Sequence, residues 1–407
     1  MFAALAGCDA PRAQFQMSRT FIAKQLGEEL KGEGRAGRDA QLDAVNESLV
    51  AMFGTPDDPL AEGTEKDSEL AAALGLSPTL NVTKLSMAAG PVGRDKSGFQ
   101  RGLYRQHCVH CHGVTGDGRG PTAAFLNPYP RDFRMGKFKF KSTPVGERPT
   151  DGDLRKTLLE GIPGTAMPSF KVLPGDQIDA LVNYVKYLAI RGETERSLVL
   201  EAAAEYEAED KLDTSRELLV DIALSGVVGA WSRADDAVTT GDSRPSWEGE
   251  QLAASVARGK ELFQGKNANC FSCHGTTALG DGQVGNYDDW TNDFAEWNAI
   301  VDPAERANKM AEYEALGGLT PRNLIPRNLR KGVYRGGRRP VDIYWRIRNG
   351  IEGALMPAAT VKSGDDPDAP GLTEEDIWHL VDYVQAMPYE TLSLPPEKEL
   401  ENLRANP

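Results

Sequence analysis

The sequence predicts a mainly helical protein built from two similar small domains in tandem, joined by a helical linker and preceded by an N-terminal extension. Three observations predict it. A Cys-x-x-Cys-His run occurs twice, as Cys108-Val109-His110-Cys111-His112 and as Cys270-Phe271-Ser272-Cys273-His274. A glycine- and methionine-bearing loop also occurs twice: Gly161-Ile162-Pro163-Gly164-Thr165-Ala166-Met167-Pro168 aligns position by position with Gly350-Ile351-Glu352-Gly353-Ala354-Leu355-Met356-Pro357. Each half then ends on apolar residues at helical spacing. These are Ile178, Leu181, Val182, Val185 and Leu188 in the first half, and Ile377, Leu380, Val381, Tyr383 and Val384 in the second. The expected divisions are an extension over 1–90, a first domain over 91–191, a linker over 192–244, a second domain over 245–390 and a tail over 391–407.

Composition narrows the partners. A chain of 407 residues with a formal charge of -14 is acidic and long enough for two or three domains, and nucleic acid is an unfavourable partner for it. No stretch reaches the roughly 18 uncharged apolar residues of a membrane-spanning helix. The closest, Leu218 to Trp231, carries Asp221.

In the extension, Cys8 follows Leu5-Ala6-Gly7, which resembles the lipobox at which bacterial lipoproteins are cut and acylated. That reading expects a lipid anchor on Cys8 and a leader upstream of Met1, because the seven preceding residues are too few and uncharged for a signal peptide. The alternative is a free thiol near the terminus. Further on, Leu42, Val45, Leu49 and Phe53 make one apolar helical face, which packs on the first domain or clips to a partner subunit.

Two thiols three positions apart with an imidazole immediately after them form the attachment sequence of a c-type haem. Both cysteines lie on one turn, so each can form a thioether with a vinyl group of one porphyrin, and the histidine then lies under the iron. Cys108, Cys111, Cys270 and Cys273 are thus candidate attachment residues, and His112 and His274 candidate iron ligands. Half a zinc site would need a second ligand pair nearby, and a redox dithiol has no use for the histidine. Four of the five cysteines are committed in this way, which implies maturation outside the cytoplasm.

Around the first motif, Phe99, Leu103 and Tyr104 lie on a short helical stretch, and Gly113 to Gly120 is a glycine-rich loop ending at Pro121. With the helix that closes the first half, these features resemble class I cytochrome c, in which an N-terminal and a C-terminal helix cross beside the haem. The aromatic residue four positions before the first cysteine, Tyr104, matches that family. Its usual glycine does not, since Gln100 stands there between Gly98 and Gly102.

The resemblance implies a methionine as sixth ligand, Met167 for the first haem and Met356 for the second. Thioether sulfur is a soft neutral donor that favours ferrous iron. It also implies that the carbonyl of Pro121 orients the haem histidine. In the second half, Gly280-Asp281-Gly282-Gln283-Val284 has no proline, so another carbonyl must serve. Asp153 and Asp342 each stand 14 residues before their methionine, and Thr373 with Asp376 predicts a capping box for the last helix. Met387-Pro388 fits the dipeptide but ends that helix, and reads as structural.

Between the halves, Gly192 to Glu217 holds nine carboxylates against three basic side chains, which reads as a solvated face. Leu218, Leu219, Ile222, Val227 and Val228 then predict a short amphipathic helix. The second half is longer: His112 to Met167 is 55 residues and His274 to Met356 is 82. Most of the excess is Tyr287 to Gly318, with Trp290 and Trp297, a lid, a docking surface or a peripheral insertion.

A Pro-Arg pair also recurs, with Arg131 and Arg327, inside the strongly basic stretches of this acidic chain. Haem carries two carboxylates, and the planar fork of arginine suits them; exposed solubilising charge is the alternative. The function expected is one-electron transfer by two haem c groups with His/Met ligation, without catalytic residues or a small-molecule substrate. The protein is expected lipid-anchored on the periplasmic side of a bacterial membrane, as a carrier or a subunit of a respiratory complex that meets redox partner proteins. The rival, a dihaem cytochrome c peroxidase, needs one iron with an open position, and two methionine loops argue against it. His107 and His110 flank the first motif too closely to fold over the iron, and His379 lies in the last helix.

Overall fold

The computed structural model describes residues 12–60, 71–241, 243–287, 297, 299–362, 370–390 and 393. The expectations placed on Cys8, on Trp290 and on nearly all of the tail lie outside them. The chain is mainly helical. Helices α1 (Arg19–Leu26), α2 (Arg35–Phe53) and α3 (Val82–Ala88) precede a two-stranded antiparallel ribbon of β1 (Gly93–Arg94) and β2 (Gln100–Arg101). The first motif occupies α4 (Leu103–His107) and α5 (Val109–His112), followed by α6 (Asp151–Glu160), α7 (Gly175–Glu205) and α8 (Ser225–Ser232). The second half holds α9 (Gly249–Gln264), α10 (Cys270–His274), α11 (Pro303–Ala315), α12 (Pro340–Asn349) and α13 (Glu374–Ala386). The chain divides into two compact units.

The first unit comprises residues up to 136 with 172–232 and 313–319. Its spine is α7, a helix of 31 residues, against which α1, α2 and α3 pack. The predicted apolar face of α2 is buried, with Val45, Leu49 and Phe53 fully inaccessible. Arg38 on the same helix reaches the Ala202 carbonyl of α7 at 2.7 Å. The helix expected to close the first half does not stop at Arg191. It runs on because Gly192 permits close packing: a Cβ there would lie 2.3 Å from Cα of Arg134.

That continuation corrects the expectation of a solvated acidic face at two positions. Glu193 accepts from Trp231 Nε1 at 2.9 Å, and Glu195 meets Arg191 at 3.0 Å and the Ser18 amide at 2.7 Å. Both are buried, and a buried carboxylate is tolerated when it is paired in this way. Glu205, Glu207, Glu209 and Asp210 are exposed as expected. The expected linker helix is broken into a π-helical turn over Glu217–Ile222 and α8.

The second unit comprises 137–171, 233–312 and 320 onward. Helices α9 and α13 cross at Gly259, where a Cβ would lie 2.0 Å from the His379 carbonyl. Around the crossing, Phe263, Ile377, Leu380, Val381 and Tyr383 form the core, and Tyr344 stacks on Trp378 at 4.5 Å. The Thr373–Asp376 capping box is present, and Met387 is fully buried in the short turn that ends α13. Residues 137–171 pack within this unit against the segment before the second methionine loop. Asn349 Nδ2 donates to the Ser142 carbonyl at 3.0 Å, and Lys156 Nζ to that of Gly336 at 3.0 Å.

Candidate functional site

The first motif starts from Gly102, whose φ of 80° is left-handed and free of Cβ strain. The fully buried Tyr104 donates its hydroxyl to the Gly113 carbonyl at 2.9 Å, tying the helix before the motif to the loop after it. Cys108 stands at the junction of α4 and α5. Beyond His112 the chain turns back on itself. The Gly118 amide donates to the His112 carbonyl at 2.9 Å and that of Gly120 to the Cys111 carbonyl at 3.0 Å. A Cβ on Gly120 would lie 2.5 Å from the His110 carbonyl oxygen, so the loop needs glycine there.

His112 Nδ1 stands 3.1 Å from the carbonyl oxygen of Arg131. A carbonyl only accepts, so Nδ1 carries the proton and Nε2 keeps its lone pair. The ring stacks on Phe133 with centroids 4.5 Å apart. Burial pushes the imidazole down to about 4, so it is neutral at neutral pH, the state a metal needs. The carbonyl is therefore that of Arg131 and not, as the resemblance implied, of Pro121. The flanking amides explain this: Gly120 and Thr122 bond back to Cys111 and His110, which leaves Pro121 exposed.

The second motif repeats this design. His274 Nδ1 stands 3.2 Å from the carbonyl oxygen of Arg327, the other carbonyl that the missing proline required. The Leu329 amide donates to the Ala278 carbonyl at 3.0 Å, as that of Phe133 does to Gly116 at 2.8 Å. Asn328 caps the next turn through Arg330 as Asp132 does through Arg134, each at 3.0 Å. Ala278 holds a φ of 60° where Gly116 has 72°, and a left-handed alanine costs about 1–3 kcal/mol.

Burial pushes the Cys108 thiol up to about 12 and that of Cys270 up to about 11, so both remain protonated. Among the described residues, no group of three or more His, Cys, Asp or Glu side chains could hold a metal ion. None of the described helices is long and apolar enough to cross a membrane.

Both methionine loops lie in the second unit. Each follows a helix whose third residue, Asp153 or Asp342, is buried and bonds back to the cap residue. Each leaves that helix through a left-handed glycine, Gly161 with φ 65° or Gly350 with φ 74°. The Ile162 amide then donates to the Met167 carbonyl at 3.1 Å, and that of Ile351 to Met356 at 3.0 Å. Met167 and Met356 are half-buried. Cys108, Cys111, His112 and Arg131 belong to the first unit, whereas Cys270, Cys273, His274, Arg327, Met167 and Met356 belong to the second.

Arg327 donates from Nε to the Val333 carbonyl at 3.0 Å, and among the described residues its guanidinium meets no carboxylate. Nearby Arg335 has a buried Nε without a partner among the described residues; burial and then the charge of Arg327 push its guanidinium down. Thiols three residues apart, a histidine with its outer nitrogen bound and its inner one open, and cations lacking anions are what a haem and its carboxylates would satisfy. Sequence reasoning missed Phe133 and Arg335, and assigned Arg131 and Arg327 through side chains where their carbonyls also act. The recurring Pro-Arg pair was the available signal. His379 is engaged elsewhere, with Nδ1 2.8 Å from Ser255 Oγ and its ring stacked on Trp247 at 4.5 Å.

A family model described as cytochrome c matches residues 101–189 and 256–388, more than half of the chain. No curated protein matches it. Among solved structures, a chain of the reducing HAO-like protein complex of Kuenenia stuttgartiensis is similar, at 22% identity and a TM-score of 0.43, over 73% of this chain and 98% of that one.

Proposed function

The chain belongs to the cytochrome c family, and we propose that it is a dihaem electron-transfer protein with one covalent haem at each motif and a histidine and a methionine on each iron. The observation that carries this reading is the duplicated histidine clamp, Nδ1 held at 3.1 Å and 3.2 Å by the carbonyl of a Pro-Arg pair. Haem supplies an iron that gains and loses one electron without changing its ligands. The cysteine pairs Cys108 with Cys111 and Cys270 with Cys273 anchor it through thioethers. His112 and His274 present Nε2, and the carbonyl behind each ring fixes its tautomer and raises its basicity. Met167 and Met356 supply neutral sulfur, and Arg131 and Arg327 supply charge for the carboxylates.

In this proposal the protein works on the periplasmic side of a bacterial membrane, held there by a lipid on Cys8, and passes electrons between redox partner proteins as a carrier or as a subunit of a respiratory complex. One acyl chain binds membranes only marginally and several bind stably. Fractionation of cells expressing the chain behind a lipoprotein leader tests the anchor: Cys8→Ser should move the protein to the soluble fraction, and unchanged membrane binding would place the anchor elsewhere.

Haem counting tests the central claim. The denatured protein should retain two haems per chain, and the ferric spectrum should show the far-red sulfur-to-iron band at an intensity for two sites. Met167→Ala and Met356→Ala should each remove half of it. A high-spin signal in the untreated protein, with turnover of peroxide by a reduced cytochrome donor, would overturn the proposal in favour of a dihaem peroxidase.

A further inference from the structure

Within the second unit, the arginine that clamps one histidine lies against the loop of the other methionine. The carbonyl of Arg327 accepts from His274, while its Nη2 faces Gly164, where a Cβ would lie only 2.4 Å away. Gly164 is part of the loop that carries Met167. It has a φ of 73° and a second neighbour in Val333 Cγ1, 3.4 Å from the same point. The Arg327 side chain is held there by its Nε bond to the Val333 carbonyl at 3.0 Å.

The surroundings fix this arrangement and, among the described residues, place no carboxylate on the guanidinium. Arg346 Nη1 and Nη2 donate to the carbonyls of Arg335 and Gly337 at 2.6 and 2.8 Å, pinning the turn after Val333. Lys156, on the helix leading into the Met167 loop, bonds the Gly336 carbonyl and pairs with Asp342 at 3.4 Å. Neither Arg327 nor Arg335 meets a carboxylate among the described residues, and burial, then the charge of Arg327, push the Arg335 guanidinium down. A like charge disfavours the charged form of a group and a nearby anion favours it.

We propose that Arg327 is a positioning residue whose side chain acts on the haem ligated by Met167, while its backbone serves the histidine of the other haem. This rests on the dihaem reading above. A cation near an iron favours the ferrous state, which carries one positive charge fewer, so the Arg327 guanidinium raises the potential of the Met167 haem. One residue would thus hold a ligand of one haem and set the potential of the other.

Redox titration of the intact dihaem protein tests it, with the two haems distinguished through the Met167→Ala and Met356→Ala spectra. Arg327→Gln keeps the carbonyl and removes the charge. At a fixed ambient potential it should lower the ferrous-to-ferric ratio of the Met167 haem about threefold, ~28 mV at about 59 mV per tenfold, and change the other haem less. Arg327→Lys should restore most of that ratio, whereas a purely steric role would not be rescued. A shift confined to the Met356 haem, equal shifts in both, no shift in either, or a lysine variant that behaves as glutamine would overturn the inference. If the parent lacks a sulfur-to-iron band that Met167→Ala removes, the dihaem reading itself fails, and this inference with it.

Discussion

His112 Nδ1 and the Arg131 carbonyl oxygen are 3.1 Å apart, and the contact runs through the backbone that Gly118 lets approach. A Cβ on Gly118 would lie 2.6 Å from the Pro130 carbonyl oxygen, and one on Gly280 2.2 Å from that of Pro326. Both glycines have left-handed φ, 71° and 85°. Gly118→Ala and Gly280→Ala should therefore push the Pro-Arg segment off its histidine, at a cost of about 1–3 kcal/mol for the backbone alone. Haem content and thermal unfolding measure this. Arg131→Ala, which keeps the carbonyl, should retain its haem; loss as complete as in Gly118→Ala would assign the role to the side chain instead.

Lys141 and Glu352 form a buried ion pair at 2.5 Å, with side chains 3% and 6% exposed, and Glu352 lies in the loop that carries Met356. Lys141 also donates to the Pro144 carbonyl at 2.8 Å. Removing one partner leaves the other charge buried, so Lys141→Met and Glu352→Gln should each destabilise the second unit by about 3–5 kcal/mol. The double variant should recover much of the loss. A double-mutant cycle by denaturant unfolding reads the coupling, and additive losses would show that the pair does not act as one.

Asp342 gives a pH prediction. Burial alone would raise its carboxyl, but the bonds from Arg339 and the charges of Lys156 and Arg339 outweigh it and hold the group below 3.8. A depressed carboxylate contributes stability that is present above 3.8 and is lost as pH falls through the lower folded value. Asp342→Asn should therefore cost about 1–3 kcal/mol at pH 7 and much less near pH 2. A difference between the two proteins that stays constant across that range would refute the assignment.

The helical class, the doubled motif and the doubled methionine loop were legible because covalent chemistry and local backbone geometry fix them. Cys111 and His112 must be neighbours, and Gly161 and Gly350 must be left-handed, whatever surrounds them. The histidine clamp was legible only in part. A carbonyl has no residue-type signature, so the Pro-Arg repeat flagged Arg131 and Arg327 while pointing to their side chains. Residues paired across long separations left no trace: nothing near Lys141 announces Glu352, and nothing near Arg327 announces Gly164. Such pairs are settled by packing of distant segments, which periodicity does not encode.

Arg191 and Glu195 show the same limit within one acidic run, and supply the last prediction. The Arg191 side chain is 2% exposed, donates from Nη1 to Glu195 at 3.0 Å, and lies over the ring of Phe15 at 4.3 Å. Among the described residues its Nε and Nη2 have no hydrogen-bond partner, so Glu195 is the anion that makes its burial tolerable. Glu195 also accepts from the Ser18 amide at 2.7 Å, which ties the segment before α1 to α7. Glu195→Gln should thus destabilise the first unit by about 3–5 kcal/mol and open residues near Ser18 to protease. Glu205→Gln, at the exposed end of the same helix, should stay within about 0.5 kcal/mol of the parent. Denaturant unfolding with limited proteolysis separates the two positions, and equal effects from both would mean that Glu195 is as solvated as its neighbours in the sequence.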